Sequence, residues 1–239
     1  MYSNVFIEEV VAWVKEKLPG AHLNIENEFA WLWLDSQKKS ICFVGNEKLH
    51  QISEMDFTYY ITEFHWGGNK EASKSRLCSL LGVTQKIHAR QCIVRRISKP
   101  EAKLFLDTNH TMGYASSYFH YGLFLKDELV AIASFSKGRR MNRLPENKKS
   151  FELIRFCNKN FYTVVGGLSK LIHTFEEEQK PGDIMTYVDK LWGEPHAYYA
   201  LGFLLEQVTA PLVLKIAFHD AVPIHFTNKG NYKLIKHIS

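Results

Sequence analysis

The sequence has no Cys-x-x-Cys pair and no H-E-x-x-H or comparable histidine spacing. It also lacks any apolar run near the roughly 20 residues that cross a bilayer. Its four cysteines, Cys42, Cys78, Cys92 and Cys157, lie far apart. This excludes a zinc ribbon and a disulfide scaffold, and it predicts reduced, mostly buried thiols and no metal. No low-complexity segment or solenoid-period repeat is present, so a repeat array is excluded. The N-terminal stretch sets Glu8 and Glu9 inside its apolar pattern, unlike a signal peptide, which points to the cytoplasm and to no membrane partner.

What is present is an ordinary globular composition over 239 residues, long enough for one large core or two small ones. The net charge of +5 suits an anionic ligand without specifying nucleic acid. The basic excess is local. Residues 136–149 set Lys137, Arg139, Arg140, Arg143, Lys148 and Lys149 against a single acid, Glu146. Such a stretch is either a solvated loop or a surface facing the phosphates of a nucleotide cofactor or nucleic acid backbone.

Periodicity predicts the elements. Val5, Phe6, Val10, Trp13, Val14 and Leu18 give a one-sided helix that stops at Pro19-Gly20. Residues 28–34 and 40–45 read as a hairpin, 56–64 as a third strand, and 69–82 as a helix ended by Gly82. The pattern restarts near Arg90 with a strand over 91–97 and a helix capped by Ser98. A strand pair follows around Lys126-Asp127-Glu128, then a strand over 150–158 and a helix with Leu168, Leu171, Ile172 and Phe175 on one face. A strand over 183–189, a short helix ending at Gly202 and a strand over 212–218 complete the chain. The order predicts an α+β fold around a mixed sheet, divided into residues 1–88 and 89–239.

Several side chains stand out. On the strand over 150–158, strict alternation puts Glu152, Ile154 and Phe156 on one face and Leu153, Arg155 and Cys157 on the other. A carboxylate among apolar neighbours is either paired with an arginine or poised as a base. Arg155 would neutralise that neighbourhood or touch a ligand. His110 sits between a helix and a glycine turn, as a structural histidine or as a base for an amine near neutral pH. Asp189 either caps the turn that follows its strand or meets a ligand at the strand end. The aromatic runs "WLWL", "TYYITEFHW" and "SSYFHY" read as core rather than base-stacking surface.

With "YGLFLKDELVAIASF", "VVGGLSKLI" and "AYYALGF" in this order, the second part resembles the GNAT superfamily of acyl-CoA-dependent N-acyltransferases. The resemblance implies acetyl-CoA or another acyl-CoA as donor, its pyrophosphate received by backbone amides of Val165, Gly166, Gly167, Leu168 and Ser169. It implies Tyr198 as the acid toward the leaving thiolate and Glu152 as a base. The family carries a basic residue and a small residue where this chain has Thr163 and Leu168.

Over a longer stretch, "ELIRFCNK", "VVGGLSKLI" and "IMTYVDKLW" look like certain phage-type homing endonucleases, which join a patch-repair-like nuclease domain to a GNAT-like module. The "NH" and "TYVD" features are also similar to the Mom family of DNA-modification enzymes. That likeness implies functional roles for His110 and Asp189, and nucleic acid as a partner contacted by Lys137, Arg139, Arg140 and Arg143. The nuclease resemblance places Trp31 and Cys42 where two metal-binding acids belong, with Asp35 at the turn. Only Glu9 and, after a one-residue shift, His50 would remain. Trp and Cys cannot hold a hard cation in an oxygen cage, so residues 1–88 are expected to be a degenerate restriction-endonuclease-like domain. The expected activity is transfer of an acyl or related group from a CoA-type donor to an amine. The alternative is a non-catalytic DNA-binding or interaction protein.

Overall fold

The computed structural model describes residues 2–17, 22–26, 29–34, 39–45, 48, 56–216 and 224–238. In chain order the elements are α1 (Tyr2–Lys17), β1 (Leu23–Glu26), β2 (Phe29–Leu34), β3 (Lys39–Val44), β4 (Tyr59–Thr62), α2 (Glu63–Gly68) and α3 (Lys70–Leu81). Then come β5 (Gln85–His88), β6 (Ile93–Arg96), α4 (Lys99–Asn109), β7 (Phe119–Leu125), β8 (Glu128–Phe135) and β9 (Ser150–Asn158). The chain continues with β10 (Tyr162–Val165), α5 (Gly167–Gln179), β11 (Asp183–Asp189) and α6 (His196–Tyr199). It closes with β12 (Leu204–Val208), β13 (Val213–Ile216), β14 (Ile224–Thr227) and β15 (Asn231–His237).

These elements form two compact units. One comprises Met1–Lys70, Val188–Pro195 and Val208–Tyr232, and the other Glu71–Tyr187, His196–Gln207 and Lys233–Ser239. Residues 71–88, grouped by the sequence pattern with the N-terminal part, belong to the second unit.

In the first unit a four-stranded sheet runs in the order β1-β2-β3-β4. The apolar stripe of α1 is buried at Phe6, Ile7, Val10 and Val14. β3 alternates Ile41 and Phe43 with Cys42 and Val44; the second pair packs with Tyr60 and Leu191. Trp31 and Cys42 stand opposite each other in the β2–β3 register. Cys42 is fully buried, and burial pushes its thiol up to about 12. Glu9 accepts hydrogen bonds from Trp66 Nε1 at 3.2 Å and Lys70 Nζ at 2.6 Å. Asp35 and His50 lie outside the described residues. Among the described residues no group of three His, Cys, Asp or Glu side chains is placed to hold a metal.

The strand expected over 56–64 is shorter, because Thr62 ends it. Its Oγ1 accepts from the His65 amide and caps α2, as a β-region threonine before a helix does. The expected strand over 212–218 is present as β13, Val213–Ile216. Among the described residues β13 pairs with β14 in a separate ribbon, and β12 and β15 belong to the large sheet.

In the second unit seven strands run in the order β12-β15-β11-β9-β8-β7-β6, with β5 and β10 as a parallel pair beside them. One face is covered by α4 through Ala102, Phe105 and Leu106, packed against Ile132. The other is covered by α5, whose Phe175 stacks on Phe135 at 3.8 Å and meets Phe119, Tyr121 and Phe151 edge-on. α4 carries the predicted Ser98 capping box with Glu101. β9, α5 and β11 form a parallel crossover, which puts the N-terminus of α5 at the carboxyl ends of both strands.

Candidate active site

The β9–β11 ladder pairs Ser150 with Asp183, Phe151 with Ile184 and Glu152 with Met185, and it ends there. Both strands continue, β9 to Asn158 and β11 to Asp189. Beyond the last pair, Thr186 Oγ1 donates to the Leu153 carbonyl at 2.9 Å, a side chain replacing the next rung. Two adjacent parallel strands that stop pairing leave main-chain groups free to meet a ligand, at the sheet end where open α/β sheets bind ligands.

A second irregularity sits at the same place. Ser134 pairs with Arg155 but Phe135 pairs with Leu153, so Ile154 is an extra residue, a bulge in β9. The bulge corrects the face assignment made by strict alternation. Leu153 shares the α5 face with Phe135, whereas Arg155 shares the opposite face with Ser134 and Glu152. Glu152 and Arg155 are thus neighbours. Arg155 Nε donates to the Gly113 carbonyl at 3.2 Å and Nη1 to the Ile154 carbonyl at 3.0 Å.

Glu152 lines a cavity of about 520 Å³ together with Ser116, Ser136, Lys137, Arg139 and Ile154. Its amide donates to Ser136 Oγ and its carbonyl accepts from the Ser136 amide, both at 2.9 Å, which fixes the backbone under the carboxylate. Its carboxylate has no hydrogen-bond or ion-pair partner among the described residues. Burial raises its pKa, opposed by the guanidinium charges of Arg139 and Arg155. Lys137 and Arg139 are exposed, and their side chains have no ion-pair partner among the described residues. Arg139 is held through its backbone, which exchanges two 2.9 Å bonds with Ser150. Arg140 is exposed on the same stretch. Arg143 is committed elsewhere: Nη2 lies 2.7 Å and Nε 3.1 Å from one carboxylate oxygen of the fully buried Asp183.

At the start of α5, Gly166 takes a left-handed conformation with φ of 76°, caps the helix without a side chain, and accepts from the Lys170 amide. The amides of Gly167, Leu168 and Ser169 have no acceptor among the described residues, as expected of a first helical turn. Val165, Gly166 and Ser169 are exposed, and Gly167 and Leu168 are buried. A Cβ on Gly167 would meet Val164 Cβ and Cγ1 at 3.1 Å, whereas one on Gly166 would find only Ala89 Cβ, at 3.7 Å. Thr163 is bound to Thr84 across the β5–β10 pair at 2.6 Å. The Lys170 ammonium donates to the carbonyls of Ala89 and Cys92.

The remaining predicted residues are not among those that line the cavity. His110 ends α4, and its Nδ1 accepts from the Met112 amide at 3.0 Å, a contact that closes the following turn. Tyr198 lies on the single turn of α6, its ring edge-on to Phe203; burial raises its pKa and the nearby Arg76 charge opposes this. Asp189 belongs to the first unit, where its Oδ1 accepts from the Leu191 amide at 2.9 Å and its Oδ2 from Asn228 at 3.2 Å, so it caps a turn. Ser116 and Ser136 escaped the sequence pattern, whereas Arg155 was expected to neutralise the Glu152 neighbourhood but was placed on the other face by alternation. The serines carry no periodic signal, and a bulge is not readable from alternation.

No family model matches the chain and no curated protein matches it. Among solved structures it is similar to a GNAT family acetyltransferase from Elizabethkingia anophelis with acetyl-CoA bound, at 12% identity and a TM-score of 0.43. It is also similar to Ard1 from Thermoplasma volcanium, at 14% and 0.44, and to a Bacillus subtilis acetyltransferase in complex with CoA, at 14% and 0.43. Each likeness covers 62% of this chain and 99% of the other.

Proposed function

We propose that the second unit is a GNAT-like N-acyltransferase that moves an acyl group from acyl-CoA to an amine. The observation that carries this reading is the end of the β9–β11 ladder at Glu152 and Met185, at the strand ends that face the N-terminus of α5. The chain's features fit an extended thioester with an anionic tail. Unpaired strand edges offer hydrogen bonds to amide-bearing chains, and the first-turn amides of Gly167, Leu168 and Ser169 offer donors and a positive dipole end to a phosphate. The open space at Gly166 and the close packing at Gly167 keep backbone rather than side chain at that surface.

Acyl-CoA supplies an activated carbonyl carbon, whose bond to sulfur breaks as the bond to the amine nitrogen forms. Glu152 accepts the proton released by the amine, a role that its burial favours by strengthening it as a base. Ser136 holds that carboxylate's backbone in place. Tyr198 is assigned the proton returned to sulfur, and its raised pKa keeps it protonated near neutrality.

Isothermal titration with acetyl-CoA, followed by a thiol-release assay with an amine panel, tests the reading. Saturable binding and amine-dependent thiol release are expected. An absence of binding at millimolar acetyl-CoA would reject it.

A further inference from the structure

Three charged side chains face one cavity without a protein partner among the described residues: the Glu152 carboxylate, the Lys137 ammonium and the Arg139 guanidinium. Ion pairs form readily where geometry allows, and the same stretch shows this, since Arg143 is spent on Asp183. Arg139 is near enough to Glu152 to stabilise its charge, yet it is not bonded to it. Its backbone is tied to Ser150, which holds the residue at the cavity wall. Ser116, Ser117 and Ser136 add hydroxyl groups, and Ile154 gives an apolar patch.

From this arrangement we infer that the acceptor is a small zwitterion, an amine that carries a carboxylate or phosphate on the same molecule. The ammonium end matches Glu152, and the anionic end matches Lys137 and Arg139. One negative and two positive charges in the wall complement that ligand better than a simple alkylamine, which would leave both cations unpaired. A volume of about 520 Å³ falls in the ordinary range for small-molecule sites, about 300–1,000 Å³. The arginine is the group suited to hold a carboxylate or phosphate through two parallel hydrogen bonds, with Lys137 adding charge. Arg155, held on the Gly113 and Ile154 carbonyls, keeps its charge near the Glu152 carboxylate.

The inference rests on the transferase reading for its chemistry, but binding alone tests it. The protein without donor is titrated, by ligand-observed NMR and calorimetry, with α-amino acids and aminoalkyl phosphates. Their neutral counterparts, amino acid amides and alkylamines, are run beside them, and a duplex oligonucleotide forms a separate arm. At least one zwitterion is expected to bind about tenfold or more tighter than its neutral counterpart, and Arg139→Gln with Lys137→Gln is expected to abolish that difference. Carboxylate and phosphate ligands separate the two sources of the anion. Equal binding of zwitterions and neutral amines, binding of none, or salt-dependent binding of the duplex alone would each overturn the inference. Acetyl-CoA binding without zwitterion preference sinks this inference and leaves the transferase standing. Zwitterion binding without acetyl-CoA binding does the reverse.

Discussion

Glu152 and Met185 form the last pair between two parallel strands, and two residues further along β9 the bulge at Ile154 changes the face of every side chain that follows. One short segment therefore sets both the gap in the sheet and the side chains that look into the cavity. Arg155 turns toward Glu152 instead of away from it.

Glu152→Gln keeps shape and removes the base, so thiol release with a saturating amine should fall about 10²–10⁴-fold while the fold is retained. In the parent, kcat/KM should rise with pH as Glu152 loses its proton, through a pKa above the ordinary carboxylate value. That limb should vanish in the variant. The sign for stability is opposite to that of a paired carboxylate. A raised folded pKa means the folded state holds the proton longer, so this group costs stability as pH rises past its unfolded value, and Glu152→Gln removes the cost. An unchanged pH–rate profile in Glu152→Gln would eliminate it as the base.

At the α5 start the two glycines should behave differently. Gly167→Ala forces a methyl against Val164 and Leu123 at 3.1–3.2 Å and should cost about 1–3 kcal/mol, measured by urea denaturation. Gly166→Ala has room for the methyl but keeps φ at 76°, which should cost about 1–2 kcal/mol through backbone strain alone. Comparable costs with no loss of acetyl-CoA affinity in either variant would argue against the helix start as the phosphate site.

Much of this was legible in the sequence, because long periodic segments declare themselves. α1, α4 and α5, the β2–β3 hairpin and the β7–β8 pair fall where apolar spacing, the Ser98 cap and the polar turns place them. What escaped was non-local. β5 and β10 are four residues each and exist because they pair with one another. β12 is exposed along its whole length, so it lacks the alternation that marks a half-buried strand. Glu152 was identifiable as an acid among apolar residues, but its neighbours depend on a bulge that only pairing reveals. Arg143, by contrast, looked like one more cation in a basic loop. Its partner Asp183 lies 40 residues away, and no local pattern joins them.

That pair makes its own prediction. Arg143→Met leaves the Asp183 carboxylate fully buried without its cation, which should cost about 2–4 kcal/mol, below the usual range for a wholly buried pair because solvent reaches the guanidinium. Arg140→Met, on the exposed part of the same stretch, should change stability by less than about 0.5 kcal/mol. Denaturant midpoints for the two variants compare them directly, and equal midpoints would contradict the assignment of Arg143 to the fold.

His65 should make the first unit acid-labile. It is fully buried beside Trp192, with Nδ1 2.8 Å from Thr62 Oγ1, and burial lowers its pKa to about 4. In the unfolded chain it titrates near 6.5. Between these values the unfolded state binds the proton and the folded state does not. The contribution is therefore fully present above about pH 6.5, shrinks as pH falls, and is gone near pH 4; it amounts to roughly 3 kcal/mol. His65→Asn should lower stability at pH 7 through lost packing, yet show a shallower decline between pH 6.5 and 4. Urea denaturation across that range, followed by tryptophan fluorescence, reads both slopes. If parent and variant decline in parallel, His65 is not the group that titrates on unfolding.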